Sequence, residues 1–180
     1  MTADHPRVPL RDFFAGVAEY AFETRLGVAD PPLVDYITDL LTRFVRHDAM
    51  FSVRDLTGHR LHAVGDMLAE ADARIGDARR EVHRHIGDYT LFWTGVYPEA
   101  LRRTSPKLPL EEDRFTHFCT QGKRAYHIAS TIPSESEPHQ DAVLERLSDQ
   151  FEMCAYGLSE ARREWERRDA DGQWQLVVFD

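Results

Sequence analysis

"HIGDYTLFWTGVYPEA", residues 85–100, is the densest run of large apolar residues in the chain, and an aspartate stands at its mouth. From Tyr89 to Val96 the apolar residues fall on every side of a helix, and a helix that is apolar all round belongs in the middle of a fold. Gly87 and Gly95 remove side chains where a neighbouring helix backbone can come close. Each costs about 1 kcal/mol of helix propensity, which packing must offset. The spacing therefore predicts a central helix from Asp77 to Val96, charged in its first half and buried in its second. Asp88 then has two readings. It is a functional carboxylate, or it is a polar anchor that fixes how the core packs. A buried carboxylate is costly without partners. The anchor reading is preferred, with His85 beside it and Arg124 or Tyr126 of the next long helix as candidate partners.

Outward from that rod the pattern stays helical. Arg11 to Leu26 reads as a first helix stopped by Gly27. Asp30 caps a second, with Pro31 and Pro32 in the first turn, where a missing N–H costs nothing. Its inward set is Leu33, Ile37, Leu40, Leu41, Phe44 and Val45, at the helical period, with fraying expected near His47 to Met50. A thinner stripe predicts a third helix from Arg60 to Ile75, broken by Gly76. Pro98 opens a short turn to Arg103. Leu110 to Ala129 forms another helix, and "STIPSESEPHQ" is a loop. Gln140 to Arg168 reads as one long helix whose Leu144, Leu147, Phe151, Cys154, Leu158, Ala161 and Trp165 make a heptad seam. It is laid against the bundle in the main reading and is a homodimer seam in the minor one. The expected fold class is an all-α, single-domain bundle of about six or seven helices over residues 1–180, with a flexible 1–9 and an extended tail over 169–180, "DADGQWQLVVFD".

The chain has 180 residues, a formal charge of −9 and 29% charged residues, with a pI of about 5.4. That field repels phosphate backbones and anionic bilayers, so neither nucleic acid nor membrane is expected as a partner. No apolar run approaches the roughly 20 residues that span a bilayer, and the polar "MTADHPRVPL" is no signal peptide. Two cysteines, Cys119 and Cys154, sit in helical patterns outside any Cys-x-x-Cys pair, which suits buried thiols in a reducing cytoplasm.

Nine histidines raise the question of metal. Asp55, His59, His62 and Asp66 would share one stripe of a continuous helix, with Glu70 a turn further. Imidazoles and carboxylates at that spacing chelate zinc, iron or manganese, yet a complete site draws on more than one helix. Gly58 also argues against helix there, and a solvated polar face is the plainer reading. Glu81, His85 and Asp88 form a second stripe, either ligands or an acid–base set, or again a structural group. His117 and Cys119 diverge on a helix, so they make no dyad. The nucleophile elbow, the P-loop, His-Glu-x-x-His and the dinucleotide fingerprint are absent.

"IGDYTLFWTGVYPEALRR", with "GKRAY" at 122–126, resembles a family of uncharacterised bacterial all-helical proteins. Its members share Gly-Asp-x-[Ser/Thr]-Leu-[Phe/Tyr], a nearby Gly-aromatic pair and Gly-x-x-Ala-Tyr on the next helix. Here Gly87, Asp88, Thr90, Leu91, Phe92, Gly95, Tyr97, Gly122, Ala125 and Tyr126 fill those places. The resemblance covers about the middle third of the chain; Trp93 and Thr94 depart from it. It implies helices and singles out Asp88 and Tyr126, but carries no activity.

The leading expectation is a non-enzymatic, acidic cytoplasmic protein that acts through a protein partner or self-association, by the Leu144–Trp165 seam or the "QWQLVVF" tail. It needs no cofactor. The first alternative is a metal-dependent bundle enzyme with ligands among His59, His62, Asp66, Glu81, His85 and Asp88. The second is a small-molecule-binding bundle with Tyr89, Trp93 and Tyr126 lining a pocket beside Asp88, near Gly87 and Arg124.

Overall fold

A computed structural model of the protein describes residues 9–101 and 114–169. The described chain is all-α, and the expected rod lies at its centre. Helix α1, Leu10–Glu19, runs on into a π-helical segment, Tyr20–Arg25, and stops at Gly27, whose φ of 72° suits a residue without Cβ. Asp30 then caps α2, Pro31–Phe44, accepting from the Leu33 N–H at 3.2 Å. A single turn, α3 (His47–Met50), and a loop lead to α4, Val64–Asp72. Gly76, at φ 57°, opens α5, Gly76–Val96. After the short α6, Pro98–Leu101, come α7, Arg114–Thr131, α8, Asp141–Asp149, and α9, Phe151–Arg168.

Helix α5 is the axis. It packs against α2, α4, α6, α7 and α9, and from His85 to Val96 every residue except Trp93 is buried. The glycines explain how its neighbours come so near. A Cβ on Gly95 would stand 2.5 Å from Leu158 of α9, and one on Gly122 of α7 would stand 2.4 Å from both the Thr90 hydroxyl and the Phe151 ring. These helices touch backbone to side chain where ordinary residues would hold them apart.

The ends of the central helices are closed by arginines. Arg162 of α9 donates to the Val96 carbonyl at 2.6 Å, at the C-terminus of α5. Arg80, fully buried on α5, donates to the carbonyls of Ala129 and Ile132 at 2.9 and 2.6 Å and to Asp141 at 2.6 Å. One cation thus satisfies orphan carbonyls at the end of α7 and ties it to the start of α8.

Two sequence expectations need correction. The third helix is not Arg60–Ile75 but only Val64–Asp72, because residues 51–63 fold as a loop with an isolated antiparallel bridge between Arg54 and Arg60. The long last helix is two, separated at Gln150 (φ −115°, ψ 30°). The break serves packing: α8 lies on α7 and α2, whereas α9 lies along α5, α1 and the π segment. Leu144, Leu147, Phe151, Cys154, Leu158, Ala161 and Trp165 are all buried in this chain's own core. The seam therefore offers no exposed dimer face. The "QWQLVVF" tail lies outside the described residues, as do the N-terminal segment before Pro9 and the starts and ends of elements expected within 102–113. Among the described residues, no helix is long and apolar enough to cross a membrane.

The close approach at Gly122 is testable. Gly122→Ala should destabilise the fold by about 1–3 kcal/mol in urea unfolding, since the added methyl meets a buried ring and hydroxyl. Gly65→Ala, with nothing within 4 Å of its new methyl, should leave stability equal or raise it by about 0.5–1 kcal/mol. A Gly122→Ala as stable as Gly65→Ala would show that propensity, not contact, sets the effect.

Candidate functional site: an arginine cleft over a buried aspartate

Asp88 is fully buried on α5, and three side chains from two other helices converge on it. The Tyr36 hydroxyl donates to Oδ1 at 2.6 Å, and the Tyr126 hydroxyl donates to the same oxygen at 2.8 Å. Arg43 donates from Nη2 to Oδ2 at 2.9 Å. Tyr36 and Arg43 lie two turns apart on α2, so one helix face presents both. Tyr126 comes from α7, and Gly87 is what admits it: a Cβ there would stand 2.6 Å from its ring. The two tyrosine rings meet edge to face with centroids 6.4 Å apart. Burial first, and the Asp88 charge second, push both phenols well above the ordinary tyrosine value. They stay protonated, as donors to a carboxylate must.

This carboxylate is an anchor. Two neutral phenols donate to one of its oxygens, and the Arg43 guanidinium donates to the other and matches its charge. Tyr126 is the partner that the sequence named. Arg124 is not: it is exposed on α7, and none of Asp88's hydrogen bonds comes from it. Tyr36 and Arg43 were missed.

On the solvent side of Asp88 lies a cleft of about 270 Å³. Four arginines line it, Arg43, Arg54, Arg74 and Arg84, against two carboxylates, Asp88 and Glu81, with Ser52 and His85 between. In a chain of charge −9 this is a strong local reversal of sign. The loop before α4 builds the front wall. Asp55 accepts from the N–H groups of Thr57 and His59 at 2.8 and 3.0 Å, with Gly58 at φ 85°, so the loop is tied to itself. Arg74 donates to the Arg54 carbonyl at 2.9 Å and to Glu70 at 2.9 Å, and holds that wall against α4. Arg84, one turn before Asp88, donates to Glu81 at 2.6 Å. Burial is the largest influence and opposes its charge, but Asp88, Tyr36, Glu81 and Glu137 together outweigh it, and its guanidinium is held above the ordinary arginine value.

His85 forms the floor. Its Nδ1 lies 3.2 Å from the Ser52 hydroxyl, and its Nε2 is buried with no hydrogen-bond partner. Burial pushes this imidazole down, only partly offset by the Asp88 charge, so it is neutral near pH 7. The cleft thus offers guanidinium forks and a hydroxyl, with a neutral imidazole beside them.

The histidine–carboxylate stripes do not assemble. Asp55, His59 and His62 lie on the loop, not on a helix with Asp66. His59 and Asp66 are exposed, and Glu70 is paired with Arg74. His62 instead uses its carbonyl to accept from Tyr89 at 3.2 Å. Glu81 is paired with Arg84, and His85 faces Ser52 while Asp88 faces the tyrosines. Among the described residues, no group of three or more His, Cys, Asp or Glu is placed to hold a metal ion. Trp93 packs on Tyr89 and Tyr97, and neither it nor Tyr89 lines the cleft. Cys119 and Cys154 are both buried thiols, and burial pushes Cys154 up to about 12. No family model, curated protein or solved structure matches the chain.

Asp88→Ala strands two phenols and a guanidinium, and should cost about 3–5 kcal/mol of stability. Asp88→Asn keeps one acceptor and should cost less, while Tyr126→Phe should cost about 1–3 kcal/mol. Chemical denaturation gives the order; an Asp88→Ala that melts with the wild type would end the anchor assignment. A second expectation concerns acid. The folded pKa of His85 lies below its unfolded value, so the unfolded chain binds the extra proton. The stability this imidazole contributes is complete above about pH 6.5 and is lost as pH falls below it. His85→Gln should flatten the decline in unfolding free energy between about pH 6.5 and 5; an unchanged slope would show that other groups drive it.

Proposed function

We propose that this chain is a non-catalytic, ligand-binding helical domain, and that its ligand is a small organic anion held in the cleft above Asp88. The observation that carries this reading is the convergence of four arginines with Ser52 and His85 in one pocket of an acidic protein. Arginine presents a planar fork of donors that matches carboxylate and phosphate oxygens in pairs. Only part of each fork is used internally, so N–H groups remain for a guest. Asp88 sits beneath as the fixed point from which Arg43 projects, and performs no chemistry. The Tyr89–Trp93 pocket expected from sequence gives way to a polar one. Self-association through the α8–α9 seam loses its surface, since that seam is covered.

Calorimetry with inorganic phosphate and with citrate should show saturable binding that weakens as salt rises. Arg54→Ala should weaken it by about tenfold or more; Arg54 is exposed and its side chain reaches only the Gly58 carbonyl, so the fold should survive. Arg124→Ala, on the exposed face of α7, should leave binding unchanged. Absence of saturable binding by either anion, or equal weakening in both variants, would overturn the reading.

A further inference from the structure

A second cleft, of about 350 Å³, lies beside the first. Arg43 and Arg84 line both, so the two share that guanidinium pair as a common ridge. The ridge is open to solvent: the two side chains are 37% and 20% exposed. The clefts on either side differ in chemistry. The first is rich in donors. The second carries Glu137, whose Oε2 lies 3.7 Å from an Arg84 nitrogen in an ion pair, and Gln140, whose Oε1 is a buried acceptor with no hydrogen-bond partner among the described residues. Buried polar atoms are ordinarily paired. An unpartnered acceptor beside a carboxylate on one side of a cationic ridge, and guanidinium donors on the other, call for a guest that is itself two-ended.

We propose that the ligand is a phosphate monoester of a polyhydroxylated body, its phosphate in the Arg54–Arg74–Arg84–His85 cleft and its hydroxyls donating to Glu137 and Gln140 across the Arg43–Arg84 ridge. A phosphate monoester fits the first cleft because it carries about −1.5 to −2 of charge near pH 7 and three strong acceptor oxygens. Several forks can engage it at once, and the Ser52 hydroxyl can donate as well. Hydroxyl groups fit the second cleft because they supply donors without adding charge beside Glu137. The body must be small, since the two clefts are of similar size. This inference rests on the anion-binding reading and adds the second half of the ligand.

The test uses the full chain and three probes: inorganic phosphate, a hexose phosphate and the same hexose without phosphate. The hexose phosphate should bind about tenfold or more tightly than inorganic phosphate, and the bare hexose should not bind measurably. Gln140→Ala should weaken the hexose phosphate and leave inorganic phosphate unchanged, whereas Arg54→Ala weakens both. Equal affinity for the two phosphates, or a hexose phosphate indifferent to Gln140→Ala, overturns the two-cleft ligand and leaves the anion site standing. If neither phosphate binds, the anion-binding reading fails with it. Circular dichroism of each variant confirms that the helices persist, so that a loss of binding reports on the cleft.

Discussion

One carboxylate with no access to water holds three helices in register. Asp88 brings α2, α5 and α7 to a common point through two phenols and a guanidinium. Apolar packing alone fixes helix distance well and rotation poorly, because many side-chain arrangements fill a given volume. Directed hydrogen bonds at 2.6–2.9 Å remove that freedom. A buried charge is not in itself a source of stability, but removing one partner is costly. The arrangement therefore acts mainly on specificity: it selects the packing in which Tyr36, Arg43 and Tyr126 all reach one side chain.

That same constraint prepares the surface. Arg43 is drawn inward by Asp88 and so stands at the boundary between core and cleft. Arg84 is one turn away on α5 and feels the same charge. The two guanidiniums would otherwise repel one another; the carboxylate beneath compensates part of their charge and holds them side by side. A cationic ridge on an acidic protein is thus a product of the core.

Much of this was legible in residues. Tyr89 to Val96 announced a buried helix because no side of it was polar, and Gly87 and Gly95 announced close helix approach because packing must offset their cost in propensity. Tyr36 and Arg43 were not legible as partners. On α2 they look like ordinary boundary positions of an amphipathic stripe, and only the packing angle shows that they meet Asp88. The histidine stripe failed for a local reason. Asp55 bonds its own backbone and Gly58 takes a positive φ, two features that favour a turn over a helix. The break at Gln150 left no mark at all. Neither glycine nor proline stands there, and the heptad runs on through it, because both halves bury the same side against different neighbours. The cleft itself is assembled from α2, α5 and the loops on either side of α4, and such convergence has no signature in one dimension.

Arg80 has a consequence of a different kind. Its guanidinium reaches from the first half of α5 to the last carbonyls of α7 and the first carboxylate of α8. The 132–140 connection would otherwise be a surface strand of chain able to peel away by itself. Bound to a cation rooted in the central helix, its anchored end cannot detach without leaving that cation unmatched in the interior. Amide exchange near Ile132 is thereby tied to opening of the whole bundle, and the helix hairpin it joins behaves as part of one cooperative unit.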